Sequence, residues 1–259
     1  MLPIYQVDAF TGQRFKGNPA AVCPLDGWLD DKKLQDIASE INLSETAFIV
    51  KNDDDSYHLR WFTPAREVRL CGHATLATAH VLFQHLNYGG DNLRFTTEKA
   101  GELLVAKKDA EYQMNFPVDN YLEADVPDIE NIIGQQVKAV YQGTDDYMVV
   151  LDNEDAVRQA QPDIQTIKGL PVRALIITAK GDTVDFVSRV FVPSCGIDED
   201  PVTGSAHTLM TPYWAKVFDK NKLSARQISK RSGDLKCELL GDRVLISGQA
   251  ITVIEGRLL

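Results

Sequence analysis

Apolar residues along the chain fall into two kinds of run. The short kind includes "IYQVDAF" (4–10), "AAVCPL" (20–25), "TAFIV" (46–50), "YHLRWF" (57–62), "LLVAKK" (103–108) and "YQMNF" (112–116). These are rich in β-branched or aromatic residues and are separated by turn residues such as Gly12, Gly17-Asn18-Pro19 and Asn52-Asp53, which predicts strands. An early helix is predicted over "DDKKLQDIASEI", with Asp30 or Asp31 as its cap and Leu34, Ile37, Ala38 and Ile41 on one face. The long kind begins at His73. "HATLATAHVLFQHL" leaves no continuous polar face, and a helix apolar nearly all round must be surrounded. With strands on either side in sequence, a sheet wrapped around it is expected.

The second half repeats this plan. Strand candidates at "VKAVYQ", "YMVVL", "RALIIT" and "TVDFVSRVFV" precede a helix from about Ser205 through "AHTLMTPYWAKVF", followed by "KCELL", "RVLIS" and "AITVIEG". Pro212 is expected to kink that helix or to mark its effective start. The letters repeat as well: "RWFTP" at 60–64 returns as "RVFVP" at 189–193, and Gly72-His73-Ala74 returns as Gly204-Ser205-Ala206. Both pairs fall in the same order before a long apolar helix, which suggests an internal duplication. The boundary is placed in "FPVDNYLEADVPD" (116–128), giving one lobe over 1–118 and a second over 119–259, its last residues free to pack back on the first. Such a duplication is expected to set its cleft between the copies, with the two helix starts facing it. Each start offers unpaired N–H groups and the positive end of a helix dipole, so the two together suit a carboxylate.

Composition narrows the partners. A chain of 259 residues, 44% hydrophobic, can bury one large core or two ordinary ones. Its formal charge of −10 argues against nucleic acid while leaving room for a small anion in a local pocket. Cys23, Cys71, Cys195 and Cys237 form no C-x-x-C pair, which fits neither a disulfide framework nor a thiolate zinc site; reduced thiols in the cytoplasm are the simplest expectation. The opening "MLPIYQVDAF" lacks the pattern of a signal peptide, and no window approaches the roughly 20 apolar residues that span a bilayer.

Candidate chemistry gathers at the two helix starts, and each residue there has a plainer reading. His73 is either an acid/base or anion-donor group, or a first-turn residue bonding locally. Asp200 in "DEDPVTGSAH" either holds an incoming group or is a turn aspartate before proline. Ser205 hydrogen-bonds a substrate, caps its helix, or does both. Gly72 and Gly204 allow close backbone approach or simply a turn. Cys71 is a thiolate with a lowered pKa or a buried inert thiol, and residues two apart at a helix start are poorly placed for a Cys–His nucleophile pair. A metal site on His73 and His80 lacks a carboxylate nearby in sequence. His80 and His85 read as packed or surface residues. Glu45 in "NLSETAFIV" is a solvated turn residue or a carboxylate at the mouth of a central strand.

Four stretches, "VDAFTGQRFKGNPAAV", "NLSETAF", "FTPAREVRLCGHATLA" and "EDPVTGSAH", resemble in order the phenazine-biosynthesis PhzF-type isomerase family, which is related to diaminopimelate epimerase. The resemblance implies an α+β fold of two similar lobes, each a β-barrel-like sheet around a central helix. It implies Glu45 as the catalytic glutamate, supported by His73, Asp200 and Ser205. Gly72, Ala74, Thr203, Gly204 and Asn18 would line the substrate site. It also implies a homodimer that uses no metal or organic cofactor. The suited chemistry is proton relocation beside the carboxylate of a small acid: one carboxylate base reaching one face of its substrate shifts a double bond. Inverting a stereocentre needs a second base opposite. Diaminopimelate epimerases use two cysteines, one at each helix start. Here Cys71 fills the first place, while the second reads Asp200-Pro201-Val202-Thr203, with Cys195 in another part of the loop. The alternatives are therefore an epimerase pairing Cys71 with Asp200 or Glu45, and a non-catalytic anion-binding protein.

Overall fold

The computed structural model describes all residues from Met1 to Leu259. The chain forms two compact units: Met1–Asn115 with Ser247–Leu259, and Phe116–Ile246. The division expected after residue 118 thus falls after 115, and residues 247–259 belong to the first unit because the last strand pairs with the first.

In the first unit β1 (Leu2–Ala9) pairs antiparallel with β2 (Asn18–Leu25), and α1 (Asp31–Ile41) leads to β3 (Glu45–Lys51), parallel to β2. Next come β4 (Tyr57–Phe62), antiparallel to β3, the short β5 (Glu67–Val68), and α2 (Gly72–Gln84). β6 (Asn92–Thr96) returns parallel to β4 and opens a meander with β7 (Glu102–Lys108) and β8 (Glu111–Pro117).

The second unit starts with β9 (Leu122–Glu123) and α3 (Ile129–Ile133) and then repeats the plan. β10 (Ala139–Gln142) pairs antiparallel with β11 (Asp146–Val150), and α4 (Glu154–Gln159) with α5 (Ile164–Lys168) leads to the parallel β12 (Ala174–Lys180). β13 (Phe186–Val192) lies antiparallel to β12, and β14 (Ile197–Asp200) to β13. After α6 (Ala206–Phe218), β15 (Lys222–Gln227) returns parallel to β13 and pairs antiparallel with β16 (Gly233–Leu240). β17 (Arg243–Gly248) and β18 (Ala250–Leu258) end the chain, β18 antiparallel to β1.

The registers repeat as well. Ala20 pairs with Glu45 and Asp146 with Ala174; Phe48 pairs with Arg60 and Ile177 with Arg189. Glu45 and Ala174 therefore hold the same place in their units. The repeated R-x-F motif has a structural job. Residues two apart on a strand share a face, so each arginine lies over its phenylalanine, 5.2 Å from Phe62 and 5.0 Å from Phe191. Each also closes a two-point ion pair: Arg60 on Glu67 at 2.7 and 3.0 Å, Arg189 on Glu199 at 2.8 and 2.9 Å.

The central helices are as enclosed as their composition requires. Every residue of α2 from His73 to Phe83 is buried, and the helix packs on β1, β2, β3 and β18. Helix α6 packs on β11, β15 and β16. Small polar residues cause no penalty there because Thr75, Thr78 and Thr211 return their hydroxyls to carbonyls one turn back, at 2.6–2.7 Å. The opposite faces of the strands are covered too. Leu34, Ile37 and Ala38 of α1 pack on Cys23, Leu25, Phe48 and Phe62, and α3–α5 cover Val149, Leu151, Ile177 and Phe191. Strands buried on both faces read as unbroken apolar runs, which is why "AAVCPL" and "RALIIT" do not alternate.

Pro212 does not start the second helix, which runs through it from Ala206. Lacking an N–H, it leaves the carbonyl of Thr208 without an intrahelical partner, and the backbone N–H of Asp119 bonds that oxygen at 3.2 Å.

Candidate functional site

Three chain segments converge at the start of α2. Gly17 has φ +63°, and a Cβ there would lie 2.1 Å from the carbonyl of Ala9, so only glycine turns the chain into β2 with Asn18 buried at its first position. Asn42, in the left-handed conformation, ends α1 and returns its N–H to Ala38, and the chain then enters β3 with Glu45 as its first residue. Cys71 is the extended N-cap of α2, with φ −141° and ψ 110°.

This brings Glu45, Cys71 and Asn18 around the imidazole of His73. His73 Nε2 lies 3.1 Å from Glu45 Oε2, while Nδ1 lies 3.4 Å from Cys71 Sγ and 3.2 Å from Asn18 Nδ2. The Cys71–His73 contact corrects the expectation that residues two apart would not meet. An N-cap with extended backbone does not follow helical spacing. The Glu45–His73 approach is close but unaligned, and both atoms are buried without a hydrogen bond inside the protein. They retain capacity for a third group.

Electrostatics set the roles. Burial opposes a charged His73, but the nearby Glu45 carboxylate and the hydrogen bond between Nδ1 and the Cys71 sulfur favour it, and the imidazole is raised well above its usual range. A neutral ring carrying its proton on Nε2 accepts from Asn18 Nδ2. A charged ring needs Asn18 Oδ1 there, which half a turn of the amide supplies. Of the two readings of Cys71, the structure supports the buried inert thiol. Burial first, then the Glu45 carboxylate, push it up to about 11, so it rests as a thiol. It also accepts from the backbone N–H of Ala74.

Glu45, Cys71 and His73 each offer a ligand atom within 4.8 Å of the others, and the carboxylate missing nearby in sequence comes from β3. The donor types suit zinc, yet the thiol faces Nδ1 and the carboxylate Nε2. One ion cannot take both contacts unless the ring turns.

At the start of α6 the second unit gathers a different set. Asp200 closes β14 rather than lying in a turn, and its carboxylate accepts from Thr203 Oγ1 at 2.5 Å. Buried Gln227 holds the loop, donating to the Asp200 carbonyl at 2.6 Å and accepting from the Thr203 N–H at 2.8 Å. Thr203 therefore has no spare N–H to offer a ligand. Gly204 gives its carbonyl to the N–H of His207 at 3.0 Å. Ser205 makes no capping bond; its hydroxyl oxygen accepts from Arg173 Nη1 at 3.0 Å. Burial holds the imidazole of His207 down at about 4, and its Nδ1 bonds the Thr203 carbonyl at 2.8 Å. Gln227 and Arg173 belong to these contacts although sequence reasoning passed over both. The repeat would have flagged Arg173, which precedes the counterpart of Glu45.

Two units of matching topology, each with strands around one apolar helix, make this a diaminopimelate-epimerase-like α+β fold. A hydroxyproline epimerase from Agrobacterium vitis has the same fold at 10% identity, with a TM-score of 0.59 over 98% of this chain and 91% of that one. The family model described as phenazine biosynthesis-like protein matches residues 7–256, and the chain belongs to that family. An uncharacterized isomerase of Pseudomonas aeruginosa is 51% identical over 99% of this chain and 98% of its own. The crystal structure of a PhzF-family protein from Enterococcus faecalis is 46% identical, with a TM-score of 0.94 and 98% of each chain covered. The protein is accordingly an isomerase. No helix is long and apolar enough to cross a membrane.

Proposed function

We propose that the protein is a cofactor-independent isomerase that moves a proton beside the carboxylate of a small acid, with Glu45 as acid and base. The observation that carries this reading is the buried Glu45–His73 approach, 3.1 Å and unaligned, beside a ring that favours its charged form. Glu45 takes the proton from a carbon next to the substrate carboxylate and returns it to another carbon on the same face. The double bond shifts, and the glutamate ends as it began. The charged His73 holds the carboxylate of Glu45 in place and stabilises negative charge as it develops. Asn18 orients the ring, while Gly72 and Ala74 bring the first turn of α2 close. Asp200, Gly204 and Ser205 are assigned supporting roles: Ser205 donates to the substrate carboxylate, and Thr203 serves by bracing Asp200. The family resemblance adds a homodimer, and the free thiols suggest the cytoplasm.

The two-base alternative through Cys71 gains from the thiol's contact with His73 but loses from its raised pKa, which leaves little thiolate at neutral pH. The test is hydrogen exchange in D₂O with a panel of small carboxylic acids. We expect a carbon-bound hydrogen of one acid to exchange with wild type and not with Glu45→Gln. Undiminished exchange in that variant removes the assignment, and loss of exchange in Cys71→Ser with Glu45 intact favours two bases. Binding without exchange of any carbon-bound hydrogen leaves an anion-binding protein.

A further inference from the structure

We propose that Arg173 is a positioning residue that fixes the hydroxyl of Ser205 as a donor. The inference rests on the reading that Ser205 serves the substrate carboxylate. Arg173 is pinned along its whole length. Its backbone N–H donates to Asp145 at 2.7 Å and its carbonyl accepts from Ser194 Oγ at 3.0 Å. Its Nε and Nη2 close a two-point pair on Asp146, the first at 2.9 Å, and the Asp146 side chain is only 3% exposed. Nη1 then reaches Ser205 Oγ at 3.0 Å.

A guanidinium has donors and no acceptor, so in this contact the Ser205 oxygen must accept. Its own proton is directed elsewhere, and it is not spent on capping α6. Asp146 neutralises the arginine, so the cluster presents a directed O–H donor with little net charge.

The duplication supports a role beyond local packing. Ser205 holds the place in Gly204-Ser205-Ala206 that His73 holds in Gly72-His73-Ala74. Arg173 immediately precedes Ala174, the counterpart of Glu45 in strand register. In each unit, then, a charged residue at the mouth of the third strand of the repeat touches the second residue of the repeated triplet. In the first unit it is Glu45 on His73; in the second it is Arg173 on Ser205.

The test uses full-length ¹⁵N-labelled protein titrated with acetate, a minimal carboxylate, at pH 7, following the Ser205 and Ala206 amides. Wild type should show saturable shifts. Arg173→Met and Ser205→Ala should each weaken acetate about tenfold, as for loss of a bond to a charged group. The double variant should be no weaker than Ser205→Ala alone, because the arginine acts through the serine. Arg173→Lys should also weaken binding, since an ammonium cannot clamp Asp146 at two points and reach Ser205. Should Arg173→Met misfold around the unpaired Asp146, Asp146→Asn with Arg173→Met gives the same comparison without the buried charge. Unchanged affinity in the Arg173 variants, additive losses in the double variant, or no shift at Ser205 in wild type would each overturn the inference. Glu45-dependent exchange in D₂O is a separate readout, so failure here is distinguishable from failure of the isomerase reading.

Discussion

At the start of α2 a carboxylate, a thiol and a buried amide surround one imidazole; at the start of α6 a clamped arginine, a hydroxyl and a glutamine-braced aspartate occupy the matching frame. The two frames share strand order, register, an arginine clasp and an apolar helix. Their chemistry differs in kind. The first places two proton-carrying groups side by side, His73 with its pKa raised and Glu45 3.1 Å from it. The second holds groups whose protons are committed: the guanidinium keeps its own, and His207 stays neutral down to about 4. A duplicated scaffold conserves what the fold needs, which is the clasp and the enclosed helix. It diverges at the helix starts, where Cys71-Gly72-His73 is answered by Thr203-Gly204-Ser205.

If that division of labour holds, the largest effect should come from Glu45. Glu45→Gln should lower exchange turnover by about 10²–10⁴, the range for a lost general acid–base group. Asp200→Asn should cost clearly less, with more of its effect in KM than in kcat. Equal losses in kcat would mean that both units carry proton transfer, and the contrast would fail.

Below that come the shared features. Leu76 and Leu209 are fully buried on the two central helices. Leu76→Ala and Leu209→Ala should each cost about 2–5 kcal/mol in urea unfolding, because the enclosed sites cannot collapse onto the space left. A loss below about 1 kcal/mol at one site would show that its helix is not the packing centre of its unit.

A related test uses pH. His80 on α2 and His207 on α6 are both held down to about 4, His80 by burial and then by the neighbouring His85, His207 by burial. Unfolded histidine titrates near 6.5, so the unfolded chain takes up protons that the folded one refuses. The stability from keeping these rings neutral is complete above about 6.5 and is lost as pH falls towards 4. The loss is on the order of 3 kcal/mol per ring. His73, with its pKa raised, acts in the opposite sense: its contribution is present below about 6.5 and lost as pH rises through its folded value. Unfolding curves at pH 7 and 4.5 should diverge for wild type and converge in part for His80→Gln and for His207→Gln. If both variants keep the full wild-type pH dependence, the rings are not the source.

These tests also mark where the sequence was legible. Strands such as Tyr57–Phe62 and the cap at Asp30 follow from local pattern, and the enclosed helices from their lack of a polar face. The duplication showed in R-x-F-x-P because the clasp needs arginine and phenylalanine two apart on one strand face. β6 and β15 escaped notice although "NLRFT" and "KLSARQ" alternate, because each is short, carries charge and has only two apolar residues. Motif resemblance singled out Glu45, His73, Asp200 and Ser205, but no spacing rule joins Glu45 to His73, or Arg173 to Ser205, across 28 and 32 residues. Those contacts depend on strand order. Cys71 left two readings open for a related reason: helix-start logic lowers its pKa, burial raises it, and only the packed structure shows that burial wins.

The smallest expected effect distinguishes the two central helices themselves, since α6 alone contains a proline. A proline inside a helix ordinarily costs about 3 kcal/mol, partly through the carbonyl it leaves unpaired. Here the Asp119 N–H bonds the Thr208 carbonyl, so much of that loss is already offset. Pro212→Ala restores an N–H that competes for the same oxygen, and its net effect should stay within about 1 kcal/mol of wild type. The residue-level signature should be larger than the global one: the Asp119 amide should exchange with solvent several-fold faster once it shares its acceptor. Stabilisation near 3 kcal/mol with unchanged Asp119 exchange would instead make Pro212 an uncompensated break. The two helices would then differ in strain as well as in the chemistry at their starts.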